Sequence, residues 1–398
     1  MSKIAYHKSP KGFLFSTAEA AIKKHGRKDI ALIISEIEAN IAGTFTTNTV
    51  KAAPVKICIK KIRSGKGRGI VVNSGNANAC TGTQGTKNAN AMISHISKKL
   101  GIQSSLIYPC STGVIGMQMP MERIMTVIPA LTEKVSGSSF EDVAEAIMTT
   151  DTFPKMVTKK IKIGNATGTI SGICKGAGMI APNMATMLCF ILTDIGIEQK
   201  TLNETLKISV NKSFNRITID GDMSTNDTVL MMSNGIIGNK PLTEKSKFYH
   251  SFQKALDELT YRLAKLVVQD GEGATKLIEV YVKGTRHESD ATRAALAIAN
   301  SSLVKTAIYG NDANWGRIMA ALGYSGIAFK EEKTDIFFNN IKVVKDGLAN
   351  HKDKEATEVL KGKNIRITVD LHAGSSSSKV LTCDLTEEYI RINAEYRT

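Results

Sequence analysis

Residues 175–190 read KGAGMIAPNMATMLCF, and the apolar letters MLCFIL of residues 187–192 predict a buried strand. Two glycines, a proline and an asparagine come before it, which predicts a loop. At the seam stands Thr186, a polar, β-branched residue. Threonine is a good strand former, so Thr186 can simply begin the strand. It can equally be a nucleophile, placed where the loop before it is cut.

Other stretches repeat this strand-to-loop theme. DIALIIS, TFTTNTV and APVKICI, within residues 29–60, predict strands. GIVVN at 69–73 predicts a strand running into a loop rich in Gly, Asn and Thr, and residues 86–101 then show helical spacing with a stop at Gly101. SLIYPCSTGVIG at 105–116 is a second junction, closing on Ser111-Thr112-Gly113. A helix is expected over 138–150, with a serine cap and Glu141 three residues on. Strands follow over 156–163 and 167–174, and another lies within 209–235. Residues 251–282 read as a long amphipathic helix, the loop DGEGAT and a strand. The last third predicts a helix at 290–307 and strands up to the terminus. The alternation predicts one compact α/β body with a smaller C-terminal lobe.

The chain has 398 residues, too many for one ordinary domain, and its 42% hydrophobic and 22% charged residues are those of a soluble globular protein. Thirty-two glycines against eight prolines suit many tight turns between short elements. The net charge of +15 comes from lysines and arginines scattered through folded-looking sequence, as in KKIRSGKGR at 60–68. This reads as a solvated basic surface that draws anionic substrates rather than as a nucleic-acid binder. Aromatics at 6% argue the same way. The six cysteines show no CxxC and read as reduced, mostly buried thiols, and no Cys/His spacing suggests zinc. MSKIAYHKSPKGF lacks the apolar core of a signal peptide, and no apolar stretch is long enough to span a bilayer. A cytoplasmic protein without membrane contact is expected.

Acyl transfer needs a nucleophile, a base and donors for an oxyanion. No G-x-S-x-G elbow and no credible Ser-His-Asp set is present. A hydroxyl nucleophile must then find its base elsewhere, and its own α-amino group serves if the residue becomes N-terminal. Such an amine has a pKa of about 7.7–8.0, well suited to general-base work at neutral pH. That requires a cut before Thr186.

KGAGMIAPNMATML closely resembles the self-cleavage segment of the ornithine acetyltransferase (ArgJ) family, whose cut falls between Ala and Thr, here Ala185 and Thr186. NSGNANACTG, STGVIG, MTTDTFPK, SFNRITIDGDMSTNDT, VVQDGEGATK, GNDANWGRIMAALG and YIRINAEYRT also resemble that family's blocks, in its order, from residue 73 to the end. The resemblance implies a layered α/β sandwich of the ornithine acetyltransferase and self-processing aminopeptidase type. It implies an α chain of residues 1–185 and a β chain of 186–398 led by the nucleophile, assembled as α2β2. The reaction implied is ping-pong transfer of acetyl from N-acetylornithine to glutamate through acetyl-Thr186. No cofactor or metal is implied, and acetyl-CoA is left open as a second donor.

By the same resemblance, Thr112 and Gly113 form the oxyanion hole. Lys175 takes the substrate's α-carboxylate. Thr149 is a further substrate contact, with Thr150 and Thr152 as alternatives in an ambiguous run. Glu272 engages the amino end of the substrate, and Asn393 and Thr398 close the pocket. Taken alone, Lys175 reads as a solvated lysine and Glu272 as an exposed loop acid. Asp220, Asp222, Asn226 and Asp227 resemble a metal loop, but their spacing is not that of an EF-hand, and they read as structural. Met223 departs from the threonine often found there in the family. A related aminopeptidase and a nucleic-acid binder are the rival readings, the first revealed by release of amino acids from peptides and the second by steep salt dependence of binding.

Overall fold

Residues 9–181 and 187–395 are described by the computed structural model. They fall into two units, Met1–Gly176 with Asn183–Asn215 and Met223–Val267, and Ala177–Pro182 with Arg216–Asp222 and Val268–Thr398. The expected C-terminal lobe thus takes in two short segments from the middle of the chain.

The first unit is built on β1 (Phe13–Ala18), β2 (Ile30–Phe45), β3 (Lys66–Asn76), β4 (Ile107–Val114), β5 (Lys155–Ile163), β6 (Ala166–Lys175), β7 (Leu188–Thr193) and β8 (Thr228–Ser233). Among the described residues they form one sheet in the order β4-β3-β2-β8-β7-β6-β5, with β1 paired to β2. The long β2 belongs to two runs of that sheet. Its first half pairs with β1 and β3, and its second half with β8. The register shifts between Ile34 and Ala39, where the strand bends. Phe15, Ile33, Val72 and Tyr108 of one run share a core with Leu188, Phe190, Leu192 and Met232 of the other. The sheet therefore folds over on itself as a sandwich, each strand alternating its side chains between that core and an outer helical layer.

The unit's helices are α1 (Ala53–Lys61), α2 (Gly82–Leu100), α3 (Met121–Glu133), α4 (Phe140–Ala146), α5 (Gln199–Lys212) and α6 (Tyr249–Gln269). Residues of α2 and α3 cover Leu32, Ile34 and Val71 of one run. On the other run Gly172 lets α6 approach closely, since a Cβ there would lie 2.8 Å from Leu263. The architecture is the layered α/β sandwich expected.

The second unit carries β9 (Leu277–Thr285), α7 (Glu288–Asn300), α8 (Ser302–Tyr309), α9 (Trp315–Gly323), β10 (Asp335–Phe338), β11 (Ile341–Lys345), β12 (Leu348–Ala349), α10 (Asp353–Leu360), β13 (Asn364–Asp370), β14 (Ser376–Cys383) and α11 (Glu387–Ala394). Its sheet runs β12-β11-β10-β13-β9-β14, and α7 packs Ala291, Ala295 and Ile298 against Val280 and Val380.

Several local expectations are corrected. APVKICI is the helix α1, because Pro54 in its first turn is preset for helix. The helix expected over 138–150 spans only α4, and its capping box is Ser139 with Asp142. The helix expected at 290–307 breaks at Ser301, whose hydroxyl accepts the Val304 N–H and starts α8. The terminal segment is helical in α11, capped by Thr386, rather than a strand. Five of the cysteines are buried thiols and Cys80 is exposed. Among the described residues no helix is long and apolar enough to cross a membrane.

Candidate active site

The ends of β3 and β4 lie side by side, pairing Ser74 with Thr112 and Gly75 with Gly113. Gly113 has φ +133°, and a Cβ on it would fall 2.2 Å from the Gly75 carbonyl carbon. Only glycine fits this close approach of two backbones. Thr112 beside it is buried. The polar loop residues that follow β3 are tied back into the fold. The Ser111 hydroxyl donates to Asn73 Oδ1 at 2.6 Å, and Asn73 Nδ2 donates to the Asn76 carbonyl at 2.9 Å.

Lys175 ends β6, and its neighbour across the ladder is Leu188, the first residue of β7. Its side chain is only 5% exposed, so it is not the solvated lysine that the bare sequence suggests. Its ammonium donates to Thr149 Oγ1 at 2.7 Å and lies 3.8 Å from Asp151 Oδ2. Of the ambiguous run 149–152, it is Thr149 that this contact brings to Lys175. Asp151 is the hub of the cluster and is fully buried at its side chain. Its carboxylate accepts from Lys155 Nζ at 2.6 Å, from the Gly176 N–H at 2.7 Å and from the Thr149 N–H at 3.0 Å. Burial alone would raise this carboxyl, but the Lys175 and Lys155 ammoniums hold it well below the usual carboxylate range. Sequence reading passed over Asp151 and Lys155, although an acid and a lysine four residues apart in MTTDTFPK were a visible signal.

Asn226 and Asp227 precede β8. Asn226 Nδ2 donates to the Ala77 carbonyl at 2.7 Å and to the Ser111 carbonyl at 2.8 Å. Asp227 is completely buried, and its Oδ1 accepts the Met187 N–H at 3.1 Å. Burial pushes its carboxyl well above the ordinary value, against the pull of the Met187 N–H, the Thr46 hydroxyl and the Lys175 ammonium. The unfolded carboxyl titrates near about 3.9, so the neutral native form contributes stability that is complete below that value and lost as pH rises through the native pKa. The melting temperature of the wild-type protein should therefore fall more than that of Asp227→Asn as pH rises above about 3.9. Parallel melting curves across that range would mean that the native carboxyl is ionised.

In the second unit Glu272 is 8% exposed, not a solvent-facing loop acid. Its Oε2 accepts from Asn393 Nδ2 at 2.8 Å, and its N–H donates to the Ala177 carbonyl at 2.8 Å. A Cβ on Gly178 would lie 2.4 Å from the same Glu272 oxygen, so glycine leaves room for the carboxylate. Asp220 accepts the Met179 and Ile180 N–H groups and the Tyr389 hydroxyl, the work of a structural loop acid. Among the described residues no group of three or more His, Cys, Asp or Glu is gathered as metal ligands would be. Ala185, Thr186 and Thr398 lie outside the described residues.

Residues 14–398 match the ArgJ family. The chain is 50% identical over 390 residues to the arginine biosynthesis bifunctional protein ArgJ of Geobacter sulfurreducens, a match covering 98% of this chain and 99% of that one. It is 46% identical over 415 residues to the mitochondrial protein of the same name from Dictyostelium discoideum, covering 98% and 93% of the two chains. Among solved structures, that of the arginine biosynthesis bifunctional protein argJ of Bacillus halodurans is 45% identical, with a TM-score of 0.50, and covers 52% of this chain and 97% of that one.

Proposed function

The chain belongs to the ArgJ family, and from that premise we propose that it is a self-cleaving acetyltransferase of arginine biosynthesis, moving acetyl from N-acetylornithine to glutamate. One observation carries the reading furthest. The buried cation Lys175, held by Thr149 and Asp151, is the ladder neighbour of Leu188, two residues after Thr186. A carboxylate-binding group and the strand led by the nucleophile are thereby adjacent.

In the precursor the Thr186 hydroxyl attacks the Ala185 carbonyl. The new C–O bond replaces the C–N bond, and the hydroxyl proton ends on the released amine. Water then hydrolyses the ester, giving an α chain of 1–185 and a β chain of 186–398. In the mature enzyme the α-amine of Thr186 takes the hydroxyl proton as the oxygen attacks the acetyl carbonyl of N-acetylornithine. Ornithine leaves with a proton, acetyl-Thr186 remains, and the amine of glutamate takes the acetyl group. Thr112 and Gly113 stabilise the oxyanion in both reactions. Lys175 and Thr149 hold the substrate carboxylate, while Glu272, Asn393 and Thr398 recognise the rest of the substrate. Two α and two β chains make up the assembly, in the cell interior. The relatives' word "bifunctional" favours a second donor, acetyl-CoA, at the same threonine.

The test is direct. Purified protein should run as two fragments, with a new N-terminus at Thr186 by Edman or mass analysis, and should transfer acetyl from N-acetylornithine to glutamate. An uncut chain with full activity would sink the self-processing reading. Acetyl-CoA supplied as the only donor separates the bifunctional from the monofunctional form.

A further inference from the structure

We propose that Asn226 and Asp227 are the positioning pair of this site: Asn226 holds the strand end bearing the Thr112–Gly113 donors, and Asp227 holds the peptide that follows Thr186. The inference rests on the roles of Thr186 and Thr112 given above and adds what keeps them in register.

The need for such a device follows from the sandwich. The oxyanion donors end β4 in one run of the sheet, whereas β7, which follows Thr186, lies in the other. Among the described residues the strand pairing passes from one run to the other through β2, whose register is irregular. A misplacement of 1 Å between reacting groups costs on the order of a hundredfold in rate, so a second tie has catalytic value.

Asn226 is that tie. It is 5% exposed, and both hydrogens of its amide are spent on carbonyls of the other run, those of Ala77 and Ser111. Ser111 is the residue before Thr112. The amide oxygen accepts the Thr225 hydroxyl at 2.6 Å, so each face of the amide has one assignment and its orientation is determined. One residue on, Asp227 accepts the Met187 N–H through its side chain and the Thr46 N–H through its carbonyl. The turn that carries the pair is itself pinned. Ser224 Oγ accepts the Asn226 N–H at 3.0 Å, and the Ser224 carbonyl accepts the Thr46 hydroxyl at 2.8 Å. Adjacent side chains thus grip the two halves of the catalytic apparatus from one rigid turn.

The experiment measures kcat and KM for acetyl transfer, the fraction of chain cleaved by intact mass, and the melting temperature. The variants are Asn226→Ala, Asn226→Ser, Asp227→Ala and Asp227→Asn, with Thr112→Ala alone and combined with Asn226→Ala. Folded Asn226→Ala should lose roughly a hundredfold in kcat with little change in KM, because the oxyanion donors act only in the transition state. Combined with Thr112→Ala it should lose far less than the product of the single effects, since both act on one group of donors. Asp227→Ala should slow self-cleavage by about the same factor, and Asp227→Asn, whose amide oxygen can still accept the Met187 N–H, should recover most of that loss. Should Asn226→Ala not fold, Asn226→Ser carries the same expectation. Unchanged kcat in a folded Asn226 variant, a rise in KM alone, multiplicative losses with Thr112→Ala, or Asp227→Asn as slow as Asp227→Ala would each overturn the proposal. Normal turnover in Thr112→Ala by itself would instead remove the oxyanion reading, a separate failure.

Discussion

Thr186→Ala should give a single uncut chain that folds and shows at least about a 10⁴-fold loss of acetyl transfer, the scale on which removing a covalent nucleophile acts. Without the hydroxyl neither the ester of self-cleavage nor acetyl-threonine can form, and the α-amine is never released. On the proposed mechanism one deletion therefore removes both nucleophile and base. Thr186→Ser retains a hydroxyl but loses the methyl that restricts its χ1 rotamer, so slow, partial cleavage and weak activity are expected. Mass spectrometry of the mature enzyme mixed with N-acetylornithine, without glutamate, should find acetyl on the β chain at Thr186. Acetyl on Cys189 instead, or cleavage and turnover by Thr186→Ala, would discard the assignment.

Asp151→Ala should be the most destabilising single change in the site, by roughly 3–5 kcal/mol, because it strips the carboxylate from buried ammonium groups. Lys155 is 2.6 Å and Lys175 3.8 Å from that carboxylate, and both lysine side chains are at most 5% exposed. With the anion gone their mutual repulsion acts in a poorly screened interior. Lys175 also loses its orientation, so KM for N-acetylornithine should rise in whatever fraction remains folded. Denaturant unfolding checks the first effect and steady-state kinetics the second. A loss under about 1 kcal/mol would show that the cluster is not the electrostatic hub its geometry describes. Exchanging Asp151 and Lys155 together for apolar residues should cost much less than Asp151→Ala, since a matched pair can be replaced nearly neutrally.

Much of the candidate site was proposed from the sequence because its chemistry is local. The seam at Ala185-Thr186, the STG junction and the Gly-rich loop at 270–275 are short stretches whose residue types and order carry the resemblance. The α/β class was legible for a similar reason, since strand and helix periods are properties of a few consecutive residues. What failed locally failed at boundaries. APVKICI has the apolar letters of a strand, yet Pro54 and the packing of Val55 and Cys58 make it helical. The sequence spacing places the cap of α4 one residue early, with Glu141 as its acid, because neighbouring serines and acids offer the same spacing twice. The bonds of Ser139 and Asp142 form the actual box.

The sequence by itself determined which side chains are candidates to react, the family the chain belongs to and the alternation of strand and helix, because these depend on residue identity and near-neighbour spacing. Only the tertiary structure decided that Lys175 and Glu272 are buried, that Asp151 stands between two lysines, and that Asn226 reaches from β8 to the end of β4. The contacts of Gly176 with Asp151, of Asn226 with Ser111 and of Asn393 with Glu272 join residues 25, 115 and 121 positions apart along the chain, the first two within the folded sheet of the first unit and the third within the second unit. Burial and charge pairing are set by what packs against a residue, and no local period records that.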